Sequence, residues 1–330
     1  MKIAVVGLGA VGGLMAARLS SSGHEVCALA RGATLAAVRE HGLRLAMNGV
    51  ETCSPINASD DARDLGPQDL VVVALKGPSL AVAAQAMQPL IGEHTTVMPA
   101  MNGVPWWFLQ TAPVAVPLAD LPIASVDPDG RINALLPLHR VLGCVVHLAS
   151  SSPEPGRVRH GFGDRLIVGE PAGGRSERAD AVCAALARAG FSAEASTDIR
   201  HAIWYKLWGN MTMNPVSALT GATTDRMLDD PLVRAFILRS MEEAALIGAR
   251  IGCPIAQTGE ERLALTRQLG VFKTSMLQDA QAGRALELDA LVSAVREIGT
   301  RLNINTPNID ALLGLTRLMA RERGLYPPAA

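Results

Sequence analysis

The sequence has no excess of charge of either sign: 30 Lys and Arg stand against 31 Asp and Glu, and the pI is near 6.7. That balance offers no global attraction to phosphate backbones or anionic lipid, so nucleic acid is not the expected partner. Cysteine is sparse and odd in number. Cys27, Cys53, Cys144, Cys183 and Cys253 are widely spread with no CxxC pair, which argues for a reducing compartment and against a zinc site or a disulfide framework. No stretch approaches the roughly 20 apolar residues that span a bilayer. The run Ile3 to Leu19 is interrupted by Arg18 and by Gly7, Gly9, Gly12 and Gly13, and it has a better explanation than a signal peptide. Internal repeats and low-complexity tracts are also missing. The expectation is a cytoplasmic protein with no membrane or metal partner.

What is present is 330 residues, 49% hydrophobic, enough for a large core and two domains. Lys2 to Val6 reads as a short buried strand, followed at once by Gly7-Leu8-Gly9-Ala10-Val11-Gly12 and a helical segment through Ser20. This is GxGxxG in its strand–turn–helix context, the setting in which it binds dinucleotides. Gly7 permits the tight turn, Gly9 lets a pyrophosphate approach the backbone, Gly12 allows close helix packing, and the helix start offers unpaired N–H groups. A second strand, Glu25 to Leu29, ends in Ala30-Arg31-Gly32, where an NAD enzyme would place Asp or Glu against the ribose hydroxyl. Arg31 suits a 2′-phosphate, so NADP(H) is the expected cofactor; the alternative is a solvated surface arginine.

Further strand-like runs follow. Leu43 to Ala58 reads as a hairpin turning at Asn48-Gly49. Asp69 to Leu75 ends in Lys76, and Thr96 to Met98 leads to Asn102-Gly103. Carboxyl ends of such strands are where open α/β sheets bind ligands, which makes Lys76 and Asn102 candidates for cofactor or substrate contacts. Val104 to Arg140 is an irregular, proline-bearing connection with a short helix expected at Trp106-Trp107-Phe108; these aromatics either shape a binding site or anchor the loop. Val141 to His147 and Arg165 to Gly169 resume strand character, and His160 between them reads as a surface or loop histidine with nothing to partner it. A helix from Arg178 to Ala189 and a strand over Ala193 to Ala195 close the first domain. Helical periodicity then dominates: Pro231 to Ile251, Glu260 to Leu269, Thr274 to Ala282, Glu287 to Leu302 and Ile309 to Arg321. The expected fold is an α/β N-terminal Rossmann-like dinucleotide-binding domain, residues 1–195, followed by an all-α C-terminal domain, residues 196–330.

The helix starting near Ser196 or Thr197 has Ile199, Ile203, Leu207 and Met211 on one side and Trp204 and Trp208 on another, the pattern of a buried helix. Lys206, Asn210 and Asn214 nonetheless recur at i, i+4, i+8, one line of donors and acceptors. They are either satisfied core residues with a snorkelling lysine or a reaction site. The helix can pack within one chain or across a homodimer. Reduction by a nicotinamide needs a group that protonates the carbonyl oxygen as hydride arrives, and a desolvated lysine can do this while amides orient the substrate. Ser275-Met276-Leu277-Gln278-Asp279, with Glu287 twelve residues after Ser275, adds a second polar cluster.

Together, the glycine motif, Leu75-Lys76, Asn102-Gly103, Lys206 with Asn210 and Asn214-Pro215, and Ser275 to Asp279 with Glu287 resemble the ketopantoate reductase family over essentially the whole chain. The resemblance implies NADPH-dependent reduction of a 2-keto acid, most simply ketopantoate to pantoate. By it Lys206 is the general acid, Asn102, Asn210, Asn214 and Ser275 contact substrate, Glu287 binds the nicotinamide side, and Arg31 and Lys76 hold the adenosine phosphate and its neighbours. Two departures bear on substrate choice: the long connection after Val104-Pro105-Trp106-Trp107, and Thr224 where some members carry a further Asn. A paralogue reducing another keto acid or an imine, or an NADP-binding sensor without catalysis, are the alternatives.

Overall fold

β1 (Lys2–Val6) is buried at four of its five positions, as expected of a strand covered on both faces in a parallel sheet. In the computed structural model, which describes residues 1–113, 117, 119–268 and 270–328, it is the central strand of five. The others are β2 (Glu25–Leu29), β5 (Asn57–Ser59), β6 (Gln68–Val73) and β7 (Ile91–Pro99), in the order β5-β2-β1-β6-β7 and all parallel. The chain winds one way from β1 to β5 and the other from β1 to β7, so the topological switch falls between β1 and β6, the place where such sheets bind ligands.

A second sheet contains β3 (Leu43–Met47), β4 (Val50–Ser54), β8 (Gly143–Glu154), β9 (Arg157–Gly169) and β10 (Ser192–Ser196). The Asn48-Gly49 hairpin forms as expected, pairing Leu43 with Ser54 and Met47 with Val50. It ends earlier than expected, since Asn57–Ser59 pairs instead with β2 in the first sheet. The strands expected at Val141 to His147 and Arg165 to Gly169 are the ends of one long hairpin. Its irregular pairing between His147 and Ser150, opposite Gly161 and Gly163, marks bulges, and Gly163 adopts φ +74°. His160 therefore lies in a strand, with Nε2 2.7 Å from the Gly163 carbonyl oxygen.

Helix α1 (Ala10–Ser21) lies between the two sheets, its Leu14, Met15 and Leu19 buried in a core shared with Ile3, Val5, Leu43, Val158 and Leu166. Gly12 and Gly13 make that possible: a Cβ on Gly12 would sit 2.0 Å from the Gly7 carbonyl oxygen, and one on Gly13 2.5 Å from Val158 Cγ2. The helices α2 (Gly32–His41), α3 (Leu80–Ala86), α4 (Arg131–Leu135) and α5 (Glu177–Arg188) complete this unit. From α5, Arg188 donates to the His24 ring at 3.0 Å, a contact that needs a neutral imidazole. Burial, and then the Arg188 charge, hold His24 below its ordinary pKa. The unfolded chain therefore takes up the proton first as the pH falls through about 6.5, and stability is lost below that point. The urea midpoint should fall between about pH 7.5 and 5.5, and His24→Gln should remove part of that fall.

The chain divides into two units, Met1–Met101 with Arg131–Ala202, and Asn102–Gly130 with Ile203–Ala330. A single cut at 195 misses this arrangement because the proline-bearing connection folds with the helices. Glu297 accepts the backbone N–H groups of Ala124 and Ser125 at 2.9 and 2.8 Å and the Ser125 hydroxyl at 2.6 Å, while Arg301 donates to the Leu121 carbonyl at 3.2 Å. Burial opposes the Glu297 charge, but these bonds and Arg301 hold its carboxyl below the usual range.

The second unit has helices and no strand among its described residues. It comprises most of α6 (Ile199–Thr220), with α7 (Thr224–Asp229), α8 (Pro231–Arg250), α9 (Gly259–Arg267), α10 (Ser275–Gln281), a π-turn over Asp289–Ser293, α11 (Ala294–Arg301) and α12 (Pro307–Glu322). The expected end of the ninth helix at Leu269 lies outside the described residues. No helix among them is long and apolar enough to cross a membrane.

Candidate active site

Within the first unit the sequence builds a cradle at the carboxyl end of β1. Gly7 takes φ +93°, and its missing Cβ would meet Leu75 Cδ2 at 2.5 Å and the Ala74 carbonyl oxygen at 2.8 Å. Leu8 sends its side chain into the core, so only its backbone can serve a ligand. Gly9 is exposed, and a Cβ there would meet nothing within 4 Å. Protein packing does not require that glycine; an approaching ligand would. It is also the N-cap of α1 and makes no side-chain cap, so the first-turn N–H groups of residues 10–12 have no side-chain acceptor from the cap, the setting in which a helix start takes an anion. Arg31 is exposed at the start of α2, just past β2, and Lys76 is half-buried just past β6. Because β2, β1 and β6 are adjacent and parallel, both cations share the sheet edge with the glycine loop. The residues present fit a dinucleotide phosphate chain.

These contacts separate two glycine roles. Gly12→Ala should destabilise the fold by about 1–3 kcal/mol through overpacking, seen as a lower urea midpoint. Gly9→Ala should leave that midpoint in place and weaken dinucleotide binding about tenfold, the loss of one close backbone contact, measured by fluorescence titration.

In the second unit α6 forms for the reason its pattern suggests. Ile203, Trp204, Leu207, Trp208 and Met211 are all buried. Trp208 Nε1 donates to the Met241 carbonyl at 2.7 Å, and Trp204 stacks on Phe108 at 5.9 Å between ring centroids. The helix starts a little later than expected and runs through Pro215. Fixed in this way, it presents the polar line. Lys206 and Asn210 are half-buried and Asn214 is 6% exposed.

Lys206 Nζ donates to Asn102 Oδ1 at 2.6 Å, across 104 residues of sequence. Asn214 Nδ2 lies 3.5 Å from Ser275 Oγ, a long contact between a buried amide and an exposed hydroxyl. Ser275 is held at the first turn of α10 by its neighbour Thr274, whose hydroxyl accepts the Leu277 N–H at 3.2 Å. Asn210 lies one turn beyond Lys206. Glu287 is half-buried in the segment before the π-turn. The arrangement places an ammonium, amides and a hydroxyl on one helix face and the segments packed on it, a set able to bind and protonate a small carbonyl compound. Among the described residues no group of three or more His, Cys, Asp or Glu could hold a metal ion.

Two expectations about this region change. Residues 106–111 form successive turns, with i to i+3 bonds such as Phe108 N to the Pro105 carbonyl, rather than a helix. Trp106 and Trp107 are 2% and 1% exposed, so they anchor the connection in the core and offer no surface for choosing a substrate. Thr224 is likewise buried; its hydroxyl donates to the Gly270 carbonyl at 3.0 Å and fixes the segment leading to Ser275. Sequence reasoning missed the Glu297–Arg301 clip. It also passed over a compositional signal: the only lysines are Lys2, Lys76, Lys206 and Lys273, so in a chain that otherwise uses arginine for positive charge, two of four lysines fall at candidate sites.

Comparison with known proteins adds to this geometry. Residues 3–173 match the family model described as ketopantoate reductase PanE/ApbA, and residues 198–320 match the one for its C-terminal region. A 2-dehydropantoate 2-reductase of Mesorhizobium japonicum is 44% identical over 99% of this chain and 100% of its own. A solved structure from Ralstonia solanacearum MolK2, provisionally named a ketopantoate reductase, is 56% identical with TM-score 0.94, covering 98% of this chain and 99% of its own. A D-mandelate dehydrogenase solved with NADH and anilino(oxo)acetate shares the fold at TM-score 0.85 and 21% identity, over 98% of this chain and 100% of its own.

Proposed function

We infer the chemistry from kinship and from one contact: the chain belongs to the ketopantoate reductase family, and it reduces 2-dehydropantoate to pantoate, a step toward pantothenate and coenzyme A. The observation that carries this reading is the 2.6 Å bond from Lys206 Nζ to Asn102 Oδ1 on a half-buried helix face. A half-buried ammonium bonded to an amide oxygen is held in its charged form, which suits a group that must donate. Arginine could not replace it, since the guanidinium does not give up its proton near neutral pH.

Bound NADPH would supply the hydride. The first unit would hold it through the N–H groups of residues 10–12, with Arg31 on the 2′-phosphate and Lys76 on neighbouring groups; Glu287 would meet its nicotinamide side. The absence of Asp or Glu after β2 supports NADPH over NADH. Asn102, Asn210 and Asn214 would orient the keto acid, and Ser275 would bond its carboxylate or hydroxyl. Lys206 would then pass a proton from Nζ to the keto oxygen as the alcohol forms.

The test is kcat/KM for NADPH oxidation over a panel of 2-keto acids. The family substrate should exceed the bulkier members at least about tenfold, a difference of about 1.4 kcal/mol in transition-state binding. Faster turnover of another keto acid would reassign the substrate and leave the reaction class standing.

A further inference from the structure

The residue after Asn102 has almost no freedom. Gly103 adopts φ +93°, and a Cβ there would lie 2.6 Å from both the Cβ and the carbonyl oxygen of Ala290. Ala290 is in the Asp289–Ser293 π-turn, and its carbonyl accepts the Val104 N–H at 2.8 Å. An inserted residue in a helix is costly and is often kept for a local purpose. Here the wide turn meets the backbone at the two residues that follow Asn102.

The turn is itself held from the C-terminal end. Asp289 accepts the Tyr326 hydroxyl at 2.5 Å and the Ser293 hydroxyl at 3.3 Å, and the Leu286 N–H bonds to the Leu325 carbonyl at 2.9 Å. Tyr326 is half-buried, and burial together with Asp289 pushes its hydroxyl well above the ordinary value, so it stays a donor across the working range. All of these groups belong to the second unit.

We propose that the Asp289–Ser293 π-turn, gripped by Tyr326 and pressed against Gly103, sets the position of the Asn102 amide against Lys206, so that Gly103, Asp289 and Tyr326 are positioning residues for proton donation. This rests on Lys206 being the proton donor. An amide oxygen bonded to an ammonium favours its charged form. Letting Asn102 drift therefore makes Lys206 lose its proton at lower pH, and the donor is exhausted sooner as the pH rises.

The experiment measures kcat, KM for NADPH and the alkaline limb of the kcat–pH profile for the full chain with NADPH and ketopantoate. Gly103→Ala and Tyr326→Phe should each lower kcat, about tenfold for the first and a few-fold for the second. The alkaline limb should move down by up to about one pH unit, and KM for NADPH should stay within about twofold. Tyr326→Phe keeps the ring, so it reports even if Gly103→Ala does not fold. Asp289→Asn, which retains an acceptor, should recover more turnover than Asp289→Ala. Lys206→Ala is measured alongside. If it cripples turnover while Tyr326→Phe leaves both kcat and the alkaline limb of wild type, the positioning role is wrong. If Lys206→Ala is itself near normal, the proton-donor reading falls instead.

Discussion

Lys206→Ala is expected to lower kcat by about 10²–10⁴-fold, the range a positioned general acid contributes, and to leave NADPH binding within about twofold. The two effects separate because Lys206 belongs to the second unit, while the glycine loop and Arg31 belong to the first. Lys206→Arg should be nearly as damaging as alanine: the charge remains, and so does a donor for Asn102, but the proton is not released. Steady-state kinetics with a parallel NADPH titration checks both. Loss of NADPH binding in step with kcat would mean that α6 is a structural support for the cofactor unit and that its polar line is not a reaction site.

Arg31→Ala is expected to weaken NADPH about 10–100-fold, the loss of one or two charge-assisted bonds of about 1.5–3 kcal/mol, and to leave NADH nearly unchanged. Arg31 is exposed at the α2 N-terminus. Its energy comes only when the 2′-phosphate is present, so folding stability should not change. Comparing kcat/KM for the two nicotinamides in wild type and variant reads this directly. An equal loss for both would place Arg31 on a group common to NADH and NADPH.

The first unit was legible where its physics is local. GxGxxG sets steric demands within six residues: the 2.0 Å clearance behind Gly12 is the close packing read from the spacing, and Gly9 has open space where a ligand is expected to approach. The polar line of α6 was legible because i, i+4 spacing fixes which residues share a helix face. What could not be read depends on distant partners. Asn57–Ser59 leaves its hairpin for the parallel sheet because pairing with β2 extends that sheet, a choice that local propensity does not contain. No strand is expected between His147 and Arg165, yet bulges absorb the irregularity of that stretch within one hairpin. Trp106 and Trp107 could either shape a binding site or anchor the loop, and only their burial in the folded chain favours the anchor. Asn102 was assigned by its place after a strand; its bond to Lys206 depends on a turn closed against Ala290, 188 positions later in the chain than Asn102 itself.

The central claim is hydride transfer from NADPH to the keto carbon of 2-dehydropantoate with Lys206 supplying the proton. It is tested most directly by mixing the enzyme with NADPH deuterated at both C4 positions and ketopantoate, then measuring deuterium in the product by mass spectrometry. The account predicts pantoate with one deuterium on C2 for each NADPH consumed in wild type, and almost no labelled product with Lys206→Ala. NADPH that persists in the presence of ketopantoate, or labelled pantoate formed equally well without Lys206, would contradict it.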